Sequence, residues 1–191
     1  MNMRFSFSLG FVFVLFFLPA FICAQQTVVY DNPDASFKTG LDLIEKKQFG
    51  AASQVFEKMI TQLPSGETVM LPEARYYAAL CDYKLGHPQA KEKFGTFISD
   101  FPNHTKTNMA TLNLGMLEYD NRKYKDAIVT FEKVDNYRLS PEQRQEYLYK
   151  LGFSYLKTDN FSKAREAFFP ILNTPGQYQN PSIFSTHKAP P

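Results

Sequence analysis

A pattern of small and aromatic residues recurs at a nearly fixed interval through most of this 191-residue chain. In each copy, a glycine or alanine is followed twelve residues later by an alanine and, after four more residues, by a phenylalanine. The copies are Gly40, Ala52 and Phe56; Ala78, Ala90 and Phe94; Gly115, Ala127 and Phe131; and Gly152, Ala164 and Phe168. The small residues are 38, 37 and 37 positions apart. A fixed period of this length is typical of proteins that stack one structural unit on the next.

The spacing within each copy is explained by a pair of antiparallel helices. A small residue in the first helix and an alanine in the second let the two backbones approach closely. The phenylalanine lies one turn beyond the alanine on the same face of the helix, where its ring fills the space beside the contact. We therefore expect each copy to form one helical hairpin.

Capping signals mark where helices begin. Asn32-Pro33-Asp34 combines an N-cap residue, a proline in the first turn and an acid that complements the helix dipole. Ser140-Pro141-Glu142-Gln143 repeats this arrangement and adds the glutamine of a capping box. With the repeat, these signals predict an all-α chain of eight helices and no strand. The predicted helices are 33–47, 49–62, 71–86, 88–100, 105–121, 123–135, 141–158 and 160–173.

The repeated core resembles the tetratricopeptide repeat. A leucine precedes the glycine in Leu114-Gly115 and Leu151-Gly152, and Tyr155 follows three residues after the last glycine, as in that family. The period exceeds the about 34 residues typical of the family, and the aromatic residue expected early in its first helix is missing. Over about residues 33–174, the resemblance implies a right-handed α-solenoid of about four helix-turn-helix units.

The resemblance also divides the chain into parts. An N-terminal extension over 25–32 precedes a solenoid over 33–176, and a segment over 177–191 follows it. The repeats span about 33–66, 71–103, 107–139 and 141–176. The last segment is either a C-terminal tail or a truncated fifth repeat, since Asn180-Pro181 can cap a short terminal helix and Ala189 continues the period. A truncated repeat would make the chain part of a longer array.

Tetratricopeptide arrays line a concave groove with the first helix of each pair, so the resemblance implies a partner-binding surface. The groove residues of this chain would be Phe37, Leu41, Ile44, Arg75, Ala79, Tyr83, Leu112, Met116, Tyr119, Tyr149, Phe153 and Leu156. Such a mainly apolar surface suits an extended or helical peptide. Phe37 and Leu41 stand where the subfamily that binds acidic chain ends needs lysine and asparagine, so that ligand is not expected. Alternatively, the same side chains contact neighbouring helices.

The sequence contains no recognisable motif for catalysis or metal binding. It lacks His-Glu-x-x-His, Gly-x-Ser-x-Gly, Cys-x-x-Cys and a phosphate-binding glycine loop. The histidines, His87, His104 and His187, are scattered over a predicted turn, a loop and the tail. We therefore expect a non-catalytic protein–protein interaction scaffold without a cofactor, whose partner is a protein or peptide. The alternative from another class is an enzymatic domain further along a longer chain.

The N-terminus has the layout of a secretory signal peptide. Arg4 precedes an apolar run over residues 9–18, and Pro19 and small residues follow. Cleavage after Ala24 would remove residues 1–24 and export the protein to the periplasm or another extracytoplasmic space. The net charge would then fall from +2 to +1, which offers no electrostatic basis for binding nucleic acid.

The sequence also allows two other forms of the N-terminus. Cys23 could carry a lipid, as in outer-membrane assembly factors, although Ile22 is not the small residue that such a site prefers. An uncleaved anchor is disfavoured because a membrane-spanning helix needs about 20 apolar residues. Membrane association is expected only by one of these two routes. After cleavage at Ala24 the chain keeps a single cysteine, Cys81, so it cannot form an intrachain disulfide.

Overall fold

Eight α-helices account for most of the residues described by this computed structural model, which are 32–63 and 69–172. The helices are α1 (Pro33–Glu45), α2 (Phe49–Gln62), α3 (Met70–Leu85), α4 (Ala90–Asp100), α5 (Thr107–Asp120), α6 (Tyr124–Phe131), α7 (Pro141–Lys157) and α8 (Phe161–Phe168). Two 3-10 turns, Asn136–Arg138 and Phe169–Ile171, follow α6 and α8. The described ranges contain no strand, so the all-α prediction is confirmed. Residues 1–24, which are predicted to form a signal peptide, and the 177–191 segment lie outside these ranges.

Two helices end earlier than the sequence predicts. α6 stops at Phe131 rather than at residue 135, because the amides of Lys133 and Val134 donate to carbonyls three residues back and tighten the last turn. α8 stops at Phe168 rather than at residue 173, because Pro170 has no amide hydrogen and its ring opposes a continued α-helix. The other helix boundaries agree with the prediction to within two residues.

The helix starts that carry capping signals form as their sequences predict. Asn32 Oδ1 accepts a 3.0 Å hydrogen bond from the Asp34 amide at the start of α1. At the start of α7, Ser140 Oγ accepts from the Gln143 amide at 3.3 Å, and Gln143 Oε1 accepts from the Ser140 amide at 3.0 Å. This capping box satisfies two amides that the helix itself leaves unpaired.

Each repeat is a helical hairpin, and the hairpins stack in chain order. α1 packs on α2, α3 on α4, α5 on α6 and α7 on α8, and each second helix packs on the first helix of the next pair. The first helices α1, α3, α5 and α7 also contact one another in sequence. The second helices make no contacts of similar extent with one another in the described part of the chain. The first helices are therefore the more closely spaced row and form the inner face of the stack.

The repeated glycines lie against the repeated phenylalanine rings. A Cβ atom added at Gly40 would be 2.5 Å from Phe56 Cζ, and one added at Gly152 would be 2.7 Å from Phe168 Cε1. Phe56 is fully buried and Phe168 nearly so. Real Cβ atoms do not approach other atoms this closely, so only glycine leaves room for these rings as they stand.

The turns between paired helices reveal a different register in the second repeat. A residue with positive φ ends the first helix in each hairpin: Lys47, Arg122 and Asp159 in the first, third and fourth, and Gly86 in the second. In the first, third and fourth repeats this residue lies seven positions after the repeated glycine. Seven positions before Gly86 is Ala79, not Ala78.

The packing of the two alanines agrees with the turns. Ala79 lies in the cluster around Phe94 of its own hairpin, as each repeated glycine lies against the phenylalanine of its own. Ala78 lies instead in the cluster around Phe56 of the preceding repeat. The prediction of Ala78 as the close-contact residue is therefore wrong. Ala90 follows the positive-φ residue of its hairpin by four positions, whereas the alanines of the other repeats follow theirs by five, and this leaves Ala90 eleven rather than twelve positions after Ala79.

Candidate functional site

We assign three repeated positions of α1, α3, α5 and α7 to the inner face: three residues before, one after and four after Gly40, Ala79, Gly115 and Gly152. The side chains at these positions are Phe37, Leu41, Ile44, Tyr76, Leu80, Tyr83, Leu112, Met116, Tyr119, Tyr149, Phe153 and Leu156. Positions separated by three or four residues form a stripe along a helix. The predicted groove used the same positions except in α3, where it has Arg75 and Ala79 in place of Tyr76 and Leu80.

The two residues that the prediction misplaces have other contacts. Arg75 Nη1 lies 2.8 Å from Asp100 Oδ2 of α4, and its guanidinium is 5.6 Å from the centre of the Phe101 ring. Ala79 is completely buried among the side chains that pack on α4. The prediction is wrong for both, because it placed α3 one residue out of register.

Packing closes part of the inner face. Leu112 and Met116 are 3% and 4% exposed and belong to the core shared by the third and fourth repeats. Tyr76 is also buried, and its hydroxyl accepts a 3.2 Å hydrogen bond from Asn113 Nδ2. Burial raises the pKa of Tyr76 to about 12. Leu112 and Met116 are therefore core residues that lie beneath the face, and their prediction as groove residues is wrong.

Several partly exposed aromatic residues gather where α5 meets α7. The ring centres of Tyr119 and Phe153 are 5.8 Å apart in an edge-to-face contact, and Tyr149 stacks on Phe153 at 6.3 Å. Tyr124, at the start of α6, lies 6.0 Å from Phe153. These are the separations that aromatic pairs prefer. We name Tyr119, Tyr149, Phe153 and Leu156, all half-buried, the aromatic patch.

A charged group beside the aromatic patch joins three of the first helices. Asp120 accepts hydrogen bonds from the Tyr83 hydroxyl at 2.8 Å and from Lys150 Nζ at 3.1 Å. Lys150 also pairs with Glu146 at 3.2 Å and lies 5.1 Å from the centre of the Tyr119 ring. Burial and the bond to Asp120 raise the pKa of Tyr83 far above its usual value, so its hydroxyl remains protonated. The Asp120 and Glu146 side chains are 46% and 40% exposed and can meet a partner.

Sequence reasoning missed a buried acid at the second repeat. Asp82 is 4% exposed and lies three residues after the small residue of its helix. It accepts from Ser53 of α2 at 3.4 Å, from Lys93 of α4 at 2.6 Å and from His87 at 3.1 Å. Burial raises the pKa of Asp82, but the hydrogen bonds from Lys93 and His87 outweigh burial and hold the pKa below the usual carboxyl value. Asp82 thereby links α2 to α4.

The same position has a linking role in the next two repeats. Glu118 accepts from Thr130 of α6 at 2.6 Å and pairs with Lys91 of α4 at 2.9 Å. Tyr155 donates to Glu132, just beyond α6, at 2.5 Å. Each side chain joins its own helix to the second helix of the preceding repeat. In the sequence, these side chains are visible only as a polar residue three positions after the small one. A polar residue at a solvent-exposed position would look the same.

The described residues offer little for metal or nucleophilic chemistry. They contain no group of three or more histidine, cysteine or acidic side chains placed to hold a metal ion. Cys81 is buried, and burial raises the pKa of its thiol to about 11. His104 accepts from the Lys106 amide and lies 3.7 Å from Glu73, while His187 is outside the described ranges. None of the described helices is long and apolar enough to span a membrane.

Known proteins share this architecture. Residues 73–104 and 146–168 match the family model for the tetratricopeptide repeat, and the two segments begin six residues before Ala79 and Gly152, in the register that the turns define. Among solved structures, a double mutant of MamA from strain RS-1 has a TM-score of 0.61 with 19% identity over 75% of each chain. The fold is a tetratricopeptide-repeat solenoid.

Two further solved structures contain the same repeat. A tetratricopeptide repeat protein from Parabacteroides merdae has a TM-score of 0.62 and 18% identity over 76% of this chain and 55% of that one. YrrB, a TPR protein with an unusual peptide-binding site, has a TM-score of 0.56 and 18% identity over 82% of this chain and 73% of that one. At such identities the likeness shows the fold alone. No curated protein sequence matches the chain significantly.

Proposed function

We propose that this protein is a non-catalytic scaffold that binds a protein or peptide partner on the inner face of its tetratricopeptide-repeat solenoid. The observation that carries the proposal is the aromatic patch, where the stacking of α5 and α7 gathers large apolar side chains without burying them completely. Half-buried aromatic residues held in place by packing are typical anchors of protein interfaces. The peptide-binding site of YrrB, which shares the fold, supports the same reading.

The surroundings of the aromatic patch indicate what a partner would bring. The carboxylates of Asp120 and Glu146 lie next to the patch and are partly exposed. Lys150 pairs with both of them, and its side chain is only 13% exposed. A partner side chain that carries a positive charge can pair with the carboxylates from the solvent side. The partner therefore places an apolar side chain against the exposed side of the aromatic patch and polar or basic groups near the acids.

We also propose that the protein acts outside the cytoplasm. The basis is the sequence of residues 1–24, in which Arg4 and an apolar run precede Ala24. Mass spectrometry of the protein purified from its source cells tests this proposal. A chain that begins at Gln25 supports export with cleavage, an acylated Cys23 identifies a lipid anchor instead, and a chain that retains Met1 contradicts both.

The partner site is tested by replacing two rings of the aromatic patch together, Tyr119→Ala and Phe153→Ala. Tagged wild-type protein first captures crosslinked partners from an envelope extract, and the partner identified by mass spectrometry is then titrated by calorimetry against both proteins. We expect the double variant to bind at least tenfold more weakly, because two anchoring rings are lost.

A surface substitution elsewhere controls for general damage. Val129 of α6 is also apolar, is 55% exposed and does not belong to the inner face, so Val129→Ala should bind the partner like the wild type. Circular dichroism confirms that each variant remains folded. A folded double variant that binds with wild-type affinity would place the partner site elsewhere.

A further inference from the structure

A polar cleft lies at the third repeat, between the two loops that flank it. It is bordered by the loop that joins α4 to α5, by the start of α5 and by the segment that follows α6, and it has a volume of about 340 Å³. A cleft of this size accommodates a small ligand. We name it the basic cleft. None of the twelve inner-face residues is among the described residues that line it, so a ligand there would not occupy the proposed partner site.

Hydrogen bonds between its walls fix the shape of the basic cleft. Asn108 of α5 donates from Nδ2 to the Asp135 carbonyl at 3.0 Å, and its Oδ1 accepts from the Asp135 amide at 2.8 Å, which holds the segment after α6 against α5. Thr107 Oγ1 donates to the Phe101 carbonyl at 2.6 Å and holds the loop between α4 and α5 in the same way. Because the walls are already ordered, a ligand does not have to order them, which lowers the entropic cost of binding.

The basic cleft carries positive charge that the protein leaves uncompensated. Lys133 and Arg138 line it, and their side chains form no ion pair or hydrogen bond with any described residue. None of the described lining residues is acidic, and the nearby Asp135 directs its carboxylate to the Tyr137 amide at 3.1 Å. By contrast, Lys93, at the junction of the first two repeats, pairs with two acids. Two cations therefore border one small space without a counter-charge from the described lining.

The other polar side chains of the lining add one free donor. His104 Nδ1 accepts from the Lys106 amide at 3.2 Å, so the neutral ring carries its proton on Nε2, which lies 3.7 Å from Glu73. Asn103 is exposed, and its side chain forms no hydrogen bond with a described residue, so its amide can donate to a ligand. The donors available in the basic cleft are thus a guanidinium, an ammonium and an amide, which together suit an anion.

We propose that the basic cleft binds a phosphoryl dianion, carried by a small phosphate monoester or present as free phosphate. Such a group concentrates about two negative charges on one centre, which matches the two cations, whereas a carboxylate carries one. The planar guanidinium of Arg138 can donate two parallel hydrogen bonds to phosphate oxygens, and the ammonium of Lys133 supplies a point charge beside them. This is a second site, and its existence does not depend on the inner-face proposal.

Four compounds test the proposal: glycerol 3-phosphate, inorganic phosphate, dimethyl phosphate and succinate. Each is titrated into the isotope-labelled full chain at about pH 8 and constant ionic strength, and the backbone amide signals of Thr107, Asn108 and Arg138, at the lining of the basic cleft, are followed by two-dimensional NMR. We expect saturable shifts with both phosphoryl dianions. Tighter binding of glycerol 3-phosphate would identify an ester as the ligand, and equal affinity would identify the phosphoryl group alone.

The other two compounds separate a phosphoryl dianion from other anions. Dimethyl phosphate keeps the phosphorus centre but carries a single charge, and succinate divides two charges between two carboxylates. Both should bind about tenfold or more weakly than glycerol 3-phosphate. Equal affinity for dimethyl phosphate would overturn the proposal. Equal affinity for succinate would also overturn it, because paired carboxylates, such as those of acidic side chains of a partner, would then be the ligand.

Variants decide whether the ligand occupies the basic cleft itself. Lys133→Gln and Arg138→Gln each remove one unpaired cation from an exposed position and should fold like the wild type. Each should weaken the binding of glycerol 3-phosphate about fivefold or more, and the double variant should abolish the saturable shifts. Lys125→Gln is the matched control, because Lys125 of α6 is also exposed and is not among the described lining residues.

The control should bind glycerol 3-phosphate like the wild type. An equal loss of affinity in Lys125→Gln would show a general attraction of anions to the protein surface and would overturn the proposal. Wild-type affinity in the folded double variant, or no saturable shift in the wild-type protein, would overturn it as well.

Discussion

Gly115 offers the sharpest test of how closely the two helices of a repeat approach. A Cβ atom at this position would lie 2.5 Å from both Cδ1 and Cε1 of Phe131 and 3.2 Å from its Cγ. Phe131 is fully buried, so its ring cannot turn into solvent to make room. We expect Gly115→Ala to lower the free energy of unfolding by an overpacking cost of about 1–3 kcal/mol. This cost opposes a gain of about 1 kcal/mol in helix propensity.

Gly95 separates the two contributions. It lies within α4, is exposed and would have no atom within 4 Å of an added Cβ, so Gly95→Ala receives the propensity gain alone. Urea unfolding of both variants, followed by circular dichroism, should show Gly95→Ala to be the more stable by about 1–3 kcal/mol. Equal free energies of unfolding for the two variants would refute the close approach of α5 and α6.

Two further substitutions test the packing and the buried charge. Ala127→Arg forces a charged side chain into a fully buried position of α6 and should lower the free energy of unfolding by several kcal/mol, as measured by thermal melts. Its control, Lys125→Ala on the exposed side of α6, should change the free energy of unfolding by less than about 0.5 kcal/mol. The pKa of Asp82 is lowered in the fold, so its carboxylate stabilises the protein above the usual carboxyl pKa of about 4, and this stability is lost as the pH falls through the lower folded value. Melting temperatures between pH 7 and pH 3 should therefore drop more steeply for the wild type than for Asp82→Asn; parallel curves would contradict the assignment.

The helical hairpins could be predicted from the sequence because their constraint is local and steric. Two backbones that approach closely need small residues, and the empty space beside them needs a large ring, so Gly115, Ala127 and Phe131 specify one arrangement. The second repeat was harder, since Ala78 and Ala79 are the same residue type side by side. The turn decides between them, and the sequence marks the turn only by residue type, with a glycine at position 86 where the structure has a positive φ.

Exposure on the inner face could not be predicted to the same degree. Met116 and Phe153 occupy the same position in successive repeats, yet Met116 is buried in the core and Phe153 is half-exposed. Whether such a side chain is covered depends on the neighbouring repeat, which a pattern within one helix does not report. The buried acids Asp82 and Glu118 escaped notice for a related reason, because their cation partners come from other helices.

Site-specific photo-crosslinking tests the central claim, that the inner face contacts the partner, most directly. A photoreactive benzoylphenylalanine replaces Lys157, which is exposed and lies 5.2 Å from the centre of the Phe153 ring, or Val129 on α6. After irradiation in source cells, the inner-face proposal predicts a crosslinked partner from position 157 and none from position 129. Crosslinking of the same partner from position 129 alone would contradict it.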